Sequence, residues 1–216
     1  IAKNKEERWA GLLISSVLEP LLYFTLPTLN HTFIHAAGLV NNNKGLLIIG
    51  HSNVGKTSLA LEMVMNGYSF LGDDLTILSN KGEILNFPKP VKLEGHNITE
   101  RPEILSRIKE NMGTNEKLFF KILTSYLKKK SRSISTSVNI EDVLETPTIS
   151  SKHKINLVIH IKRYPGDSLI VKEMTAEESV KEAALNLFWE FECQEYRYTK
   201  PFYAFKKAHG EDYTKF

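Results

Sequence analysis

The chain has 216 residues, a formal net charge of +3 at neutral pH, 42% hydrophobic and 25% charged residues. This is the composition of an ordinary globular protein with room for one sizeable core. So small a charge excess gives no case for a nucleic-acid partner, and a pI near 8.8 suits phosphate binding without requiring it. The single cysteine, Cys193, excludes an internal disulfide. Among Phe188, Trp189 and Phe191 it reads as a small buried apolar residue, and a reducing cytoplasm fits.

No run reaches the roughly 18 apolar residues of a membrane span. The longest early stretch, Gly11–Leu29, is interrupted by Ser15, Ser16, Glu19, Pro20 and Pro27 and lacks a signal-peptide cleavage pattern. No membrane association is expected. The numbering opens on Ile1 rather than Met, which leaves room for an N-terminal region upstream.

In chain order, residues 1–19 open charged and turn apolar at Trp9, Leu12, Leu13, Val17 and Leu18, as an amphipathic helix or a strand docking on the core would. Thr32–Val40 and Leu46–Ile49 flank the turn signal Asn41–Gly45, which predicts a hairpin. Its second strand is apolar throughout, as burial on both faces demands. Thr57–Tyr68 reads as a helix ended by Gly67. Phe70-Leu71 then leads through Gly72-Asp73-Asp74 into a strand at Leu75–Leu78. Asn80-Lys81-Gly82 turns that strand back into Ile84–Phe87, before Pro88 and Pro90. Residues 99–130 have helical spacing and end in Lys128–Lys130, while Ser131–Lys154 is Ser/Thr-rich and reads as a loop or lid. Ile155–Ile161 is a strand that Pro165-Gly166-Asp167 turns into Leu169–Val171. Thr175–Glu178 is a capping box opening a helix to about Phe191, and Pro201–His209 is expected to form one more short helix. The two hairpins predict a single α/β domain with a mixed sheet over residues 1–216. Its core is expected at about 30–95 and 153–192, with a helical or lid insertion at about 97–152.

The informative motif is Gly50-His51-Ser52-Asn53-Val54-Gly55-Lys56-Thr57, followed by Ser58. The G-x-x-x-x-G-K-[ST] pattern lets the backbone curl so that N–H groups converge on a phosphate, with a helix N-terminus behind them. Lys56 would reach the β- and γ-phosphates and the Thr57 hydroxyl would ligate Mg²⁺. The expected ligand is therefore a nucleoside triphosphate, ATP, held by Gly50, Ser52, Asn53, Val54, Gly55, Lys56, Thr57 and Ser58. Asp73-Asp74 is the second feature: one carboxylate can hold Mg²⁺ and the other can orient or deprotonate a hydroxyl. Adjacent strand residues face opposite ways, so both reach one ligand only if the strand kinks or is just beginning there, which Gly72 permits. Two exposed turn acids are the plainer alternative. The third feature is His35, on the strand ahead of the loop, which taken alone reads as a structural histidine. The remaining histidines show no metal-ligand spacing.

These features, in this order, resemble the catalytic domain of the HPr kinase/phosphorylases and their kinase-like relatives, which share a nucleotide-binding fold with phosphoenolpyruvate carboxykinase. The matching text is Ile34–Gly38, Gly45–Thr57, Leu59-Ala60-Leu61, Gly67 and Phe70–Asp74, with Asn86–Pro90 similar to the family's strand ending in a proline-rich turn. His35 lies 21 positions before Lys56, and Asp73 lies 17 after it. The resemblance implies that Asp73 is the base, that Asp74 and Thr57 hold Mg²⁺, and that His35 lies beside the transferred phosphate. It also implies an oligomer. Asn53 stands where HPr kinases carry glycine, and no HPr-engaging signature is found between Lys92 and Lys154. The expected reaction is transfer of the γ-phosphate from ATP to a hydroxyl of a protein, peptide or small molecule. The alternatives are a nucleotide-dependent ATPase or switch, and a binding module without transfer. No Asn/Thr-Lys-x-Asp motif points to guanine.

Overall fold

The computed structural model describes residues 9, 13–87, 89–94, 97–98, 100–110, 135–144, 152–190, 208 and 210. The N-terminal segment is a continuous helical stretch: a π-helical turn at Ile14–Leu18, helix α1 at Glu19–Thr25 and a 3-10 turn at Leu26–Leu29. Asn30 ends it in the left-handed region and hands the chain to β1, His31–Ile34. The stretch docks differently from the sequence expectation. Trp9, Leu13, Val17 and Leu18 are exposed, whereas Glu19, Pro20 and Leu26 are buried.

The predicted hairpin forms from β2, Ala36–Asn41, and β3, Lys44–Ile49, in antiparallel register. His35 lies at the break between β1 and β2 rather than inside one strand. The two segments diverge there, with β1 pairing to β5 and β2 to β3. Helix α2 is Lys56–Met65, β4 is Ser69–Gly72, and the second hairpin is β5, Thr76–Ser79, with β6, Glu83–Leu85. Strand β7, Val91–Glu94, precedes α3 at Pro102–Glu110. Residues 135–144, expected to be loop, instead form β8, Ser135–Val138, paired with β7, and the short helix α4, Ile140–Val143. Ile140 and Leu144 anchor this piece in the core. Strand β9, Lys152–His160, runs parallel to β3, and α5 is Ala176–Glu190. Thr175 and Glu178 exchange the capping-box hydrogen bonds, backbone N–H to side-chain oxygen in each direction, at 2.8 and 3.2 Å.

The result is a mixed α/β fold. Seven strands in the order β1-β5-β6-β9-β3-β2-β4 make the main sheet, with β7-β8 as a separate pair. Alternation along β3 explains its wholly apolar sequence. Leu46 and Ile48 join Ala60, Leu61 and Val64 of α2 in one cluster, while Leu47 and Ile49 join Ile34, Leu71 and Ile84 in another. Leu169–Val171 is not a strand: it has no regular structure and Leu169 is 90% exposed. Among the described residues no strand pairs with it, so its β propensity goes unused. Cys193, Phe191, Lys128–Lys130 and most of the expected Pro201–His209 helix lie outside the described residues. Among the described residues, no helix is long and apolar enough to cross a membrane.

Candidate active site

The site forms where β3 delivers the chain into α2. Gly50 follows β3 so closely against β9 that a Cβ there would meet the Ile161 carbonyl oxygen at 2.6 Å and Val54 at 2.8 Å. Asn53 and Gly55 take positive φ, 61° and 113°, so the loop curls back on itself before Lys56 begins the helix. The Lys56 ammonium folds over this curl, donating to the carbonyl oxygens of Gly50 at 2.8 Å and His51 at 3.0 Å. It is only 6% exposed. A buried cation beside a helix N-terminus is a place where an anion is stabilised.

From the next residue, the Thr57 hydroxyl donates to Asp73 Oδ2 at 2.7 Å, joining the loop helix to the turn after β4. Ser58 faces elsewhere: its hydroxyl accepts from Asn97 at 2.7 Å, and its carbonyl accepts from Arg101 at 3.0 Å. Ser52, Asn53 and Val54 remain in the loop, with the Val54 N–H donating to the His51 carbonyl at 3.4 Å.

The two acids occupy the bend between β4 and β5, the kink on which their reaching one ligand was conditional. The Leu75 N–H donates to the Asp73 carbonyl at 2.8 Å, and Asp74 between them has φ 70°. This is a tight three-residue turn in a sparsely populated backbone region, and it sends adjacent side chains in different directions. Asp73 goes inward to Thr57. Asp74, 55% exposed, lies 3.2 Å from His35 Nε2 through Oδ1 and 3.4 Å from Lys89 Nζ through Oδ2.

The Thr57 hydroxyl, expected to share a metal with Asp74, contacts Asp73, because the turn centred on Asp74, with its positive φ, sends the two acidic side chains apart. His35 does meet the acidic pair, through Asp74.

Burial pushes the Asp73 carboxyl above the usual carboxylate range. The Thr57 hydrogen bond opposes this, the Asp74 charge adds to it, and Lys56 opposes it again. Asp74 moves the other way. Burial works to raise it, but the His35 hydrogen bond and the Lys89 charge together hold it well below the ordinary range. Asp73 Oδ1 is buried and meets no hydrogen-bonding side chain among the described residues. An orphaned buried carboxylate oxygen beside a hydroxyl that donates to the same carboxylate fits a small hard cation, which takes oxygen ligands and keeps waters and phosphates as the rest of its shell.

Sequence reasoning passed over Glu19, which it read as a break in an apolar run. Glu19 is fully buried, with Oε1 3.0 Å from Lys89 Nζ. An acid inside the apolar stretch Gly11–Leu29 was the available signal.

The main sheet is mixed and the glycine loop is tied through Thr57 to Asp73; comparison with known proteins adds a distant relationship. The chain is 24% identical to HPr kinase/phosphorylase of Nitrosomonas europaea over 143 residues, 66% of this chain and 34% of the relative. It therefore spans about a third of that protein's length. No family model matches the chain.

Proposed function

We propose that this chain is a kinase of the HPr kinase-like type, transferring the γ-phosphate of ATP to a hydroxyl of a protein, peptide or small molecule in the cytoplasm. The observation that carries the reading is the 2.7 Å bond from Thr57 to Asp73, because it brings the glycine loop and the acidic pair into one site. The distant likeness to an HPr kinase/phosphorylase supports the same class of chemistry.

In this reading Gly50 and Ser52–Lys56 wrap the phosphates, and Lys56 leaves its carbonyl partners to meet the β- and γ-phosphate charge. Thr57 would hold Mg²⁺, with Asp73 beside it. When bound, the ion neutralises phosphate charge and aligns the transferred group. The Asp73 carboxylate takes the acceptor hydroxyl's proton as that hydroxyl's oxygen attacks the γ-phosphorus. The bond from that phosphorus to the bridging oxygen breaks and ADP leaves with the electron pair. A raised pKa brings a carboxylate closer to the strength such a base needs. Asp74 has both oxygens engaged and a lowered pKa, so it is the poorer proton acceptor.

The Thr57–Asp73 bond also favours a second assignment, in which Asp73 belongs to the Mg²⁺ shell and Asp74 faces the acceptor. Magnesium titration separates the two. Loss of a base in Asp73→Asn lowers kcat at saturating Mg²⁺, while loss of a ligand raises the Mg²⁺ needed for half-maximal rate.

The deciding experiment incubates the protein with Mg·ATP, with and without acceptors from a cell extract. ADP release that requires the extract, disappears in Asp73→Asn and stops with EDTA is the expected result. Release without any acceptor would make the protein an ATPase or switch, and binding without turnover would make it a nucleotide-binding module.

A further inference from the structure

We propose that Lys89 and Glu19 are positioning residues of this site: Glu19, buried on α1, fixes the Lys89 ammonium, which clamps Asp74 against His35. The proposal rests on the phosphoryl-transfer reading above and adds two residues and the N-terminal helix to it.

The geometry is a chain of charged contacts drawn from four separate segments. Glu19 Oε1 lies 3.0 Å from Lys89 Nζ, which lies 3.4 Å from Asp74 Oδ2, while Asp74 Oδ1 lies 3.2 Å from His35 Nε2. Local packing places Lys89 there. After β6 the Phe87 N–H donates to the Leu71 carbonyl at 3.3 Å, and the Phe87 ring meets Phe33 edge-on at 5.1 Å. The chain beyond is thereby held over the β4–β5 bend. Leu26 of the 3-10 turn packs with Phe33 and Leu75, which fixes α1 on the same side.

Stability alone does not account for this arrangement. A carboxylate with no solvent contact is costly even when paired, and an apolar pair of the same volume would often serve the fold as well. The ammonium also answers two carboxylates, which hold it firmly in its charged form: the Asp74 and Glu19 charges outweigh the opposing effect of burial. What the contacts supply is position. Asp74 is half-exposed on a strained turn and would otherwise sample several rotamers. Glu19 prevents the long lysine chain from following solvent, so the ammonium stays between them. With both Asp74 oxygens engaged, Asp73 Oδ1 is left as the open carboxylate oxygen of the pair.

The test uses Lys89→Met, Lys89→Arg, Glu19→Gln and the double variant Glu19→Gln/Lys89→Met in the full chain. The first readout needs no activity: the ring ¹H–¹⁵N signals of His35 at fixed pH, without nucleotide. They are expected to move in Lys89→Met and Glu19→Gln and to return towards wild type in Lys89→Arg. Unmoved signals overturn the clamp whether or not the protein transfers phosphate. The second readout is kinetic. Lys89→Met is expected to lower kcat about tenfold with KM for ATP changed less than about twofold, and Lys89→Arg to recover most of it. Because Lys89→Met removes the ammonium 3.0 Å from the buried Glu19, that single variant can fail to fold. The double variant removes both charges, so it is expected to fold like wild type yet keep the low kcat. Full kcat in the folded double variant overturns the proposal. A wild type that turns over with no acceptor sinks the transfer reading instead, and the His35 signals still decide the clamp.

Discussion

The two halves of the site are built in opposite ways. The loop half, Gly50 to Thr57 with Asp73, comes from one strand–turn–helix–strand passage of consecutive chain. The other half, His35, Asp74, Lys89 and Glu19, is gathered from four places by packing. In the first, short-range backbone geometry sets the side chains, so few substitutions elsewhere should disturb it. In the second, position depends on neighbours far along the chain, and its members should be strongly coupled. Breaking each half therefore has a different signature.

The largest expected effect is Asp73→Asn. On the proposed reading it removes the general base, which costs roughly 10²–10⁴-fold in turnover. Stability should move the other way. The Asp73 pKa is raised by burial in the native state, so the native state binds its proton more tightly than the unfolded chain does. Its contribution is then fully favourable below the unfolded value of 3.8 and is lost as pH rises through the raised native value. Without Mg²⁺ at neutral pH, Asp73→Asn should melt higher than wild type, and the gain should vanish as pH falls towards 3.8. A variant that melts lower at neutral pH would show that the carboxylate is structural.

Next is Lys56→Ala. Loss of a preorganised charge on the phosphates should lower turnover by about 10²–10³-fold. Circular dichroism should show an intact fold, since the ammonium's partners are loop carbonyls rather than core groups. An unfolded variant would mean that the lysine holds the loop together rather than serving a ligand.

The same contrast explains what was legible in the sequence. Hydrophobic period and turn residues gave the β2–β3 and β5–β6 hairpins, α2 and the capped start of α5, all set by neighbours within a few residues. The curl ending at Gly55 and the helix start at Lys56 were legible in the spacing of Gly50, Gly55 and Lys56. The kink at Asp73-Asp74 was foreseeable from strand alternation, but which acid turns inward was not. That depends on the positive φ of Asp74, which no residue type at the position announces. Glu19 was legible only as an acid inside an apolar stretch, for a related reason: its burial follows from its partner Lys89, 70 positions away. Residues 135–144 were misjudged because their few apolar side chains, Ile140 and Leu144, suffice once β7 offers an edge to pair with.

Gly50→Ala probes where the loop half does depend on distant chain. The added methyl would meet the Ile161 carbonyl oxygen at 2.6 Å, and backbone cannot yield as a flexible side chain can. Overpacking of this kind costs about 1–3 kcal/mol. Chemical denaturation should record that loss, together with weaker ATP binding as the loop shifts away from β9.

The smallest effect is expected at Asn53, and it tests whether the curl is purely local. At φ 61° the residue sits in the left-handed region, which asparagine tolerates better than most side chains and glycine tolerates freely. Asn53→Gly should therefore change stability by no more than about 0.5 kcal/mol, because relief of strain is offset by a more flexible unfolded chain. Asn53→Ala keeps a Cβ without the polar side chain that eases this conformation, and should cost roughly 1–2 kcal/mol. If both substitutions cost the same, the asparagine side chain itself is being used and the loop is not shaped by backbone preference alone. If only alanine is costly, the curl that lets Lys56 fold over Gly50 and His51 is a property of these few residues, independent of the buried contacts that hold Asp74.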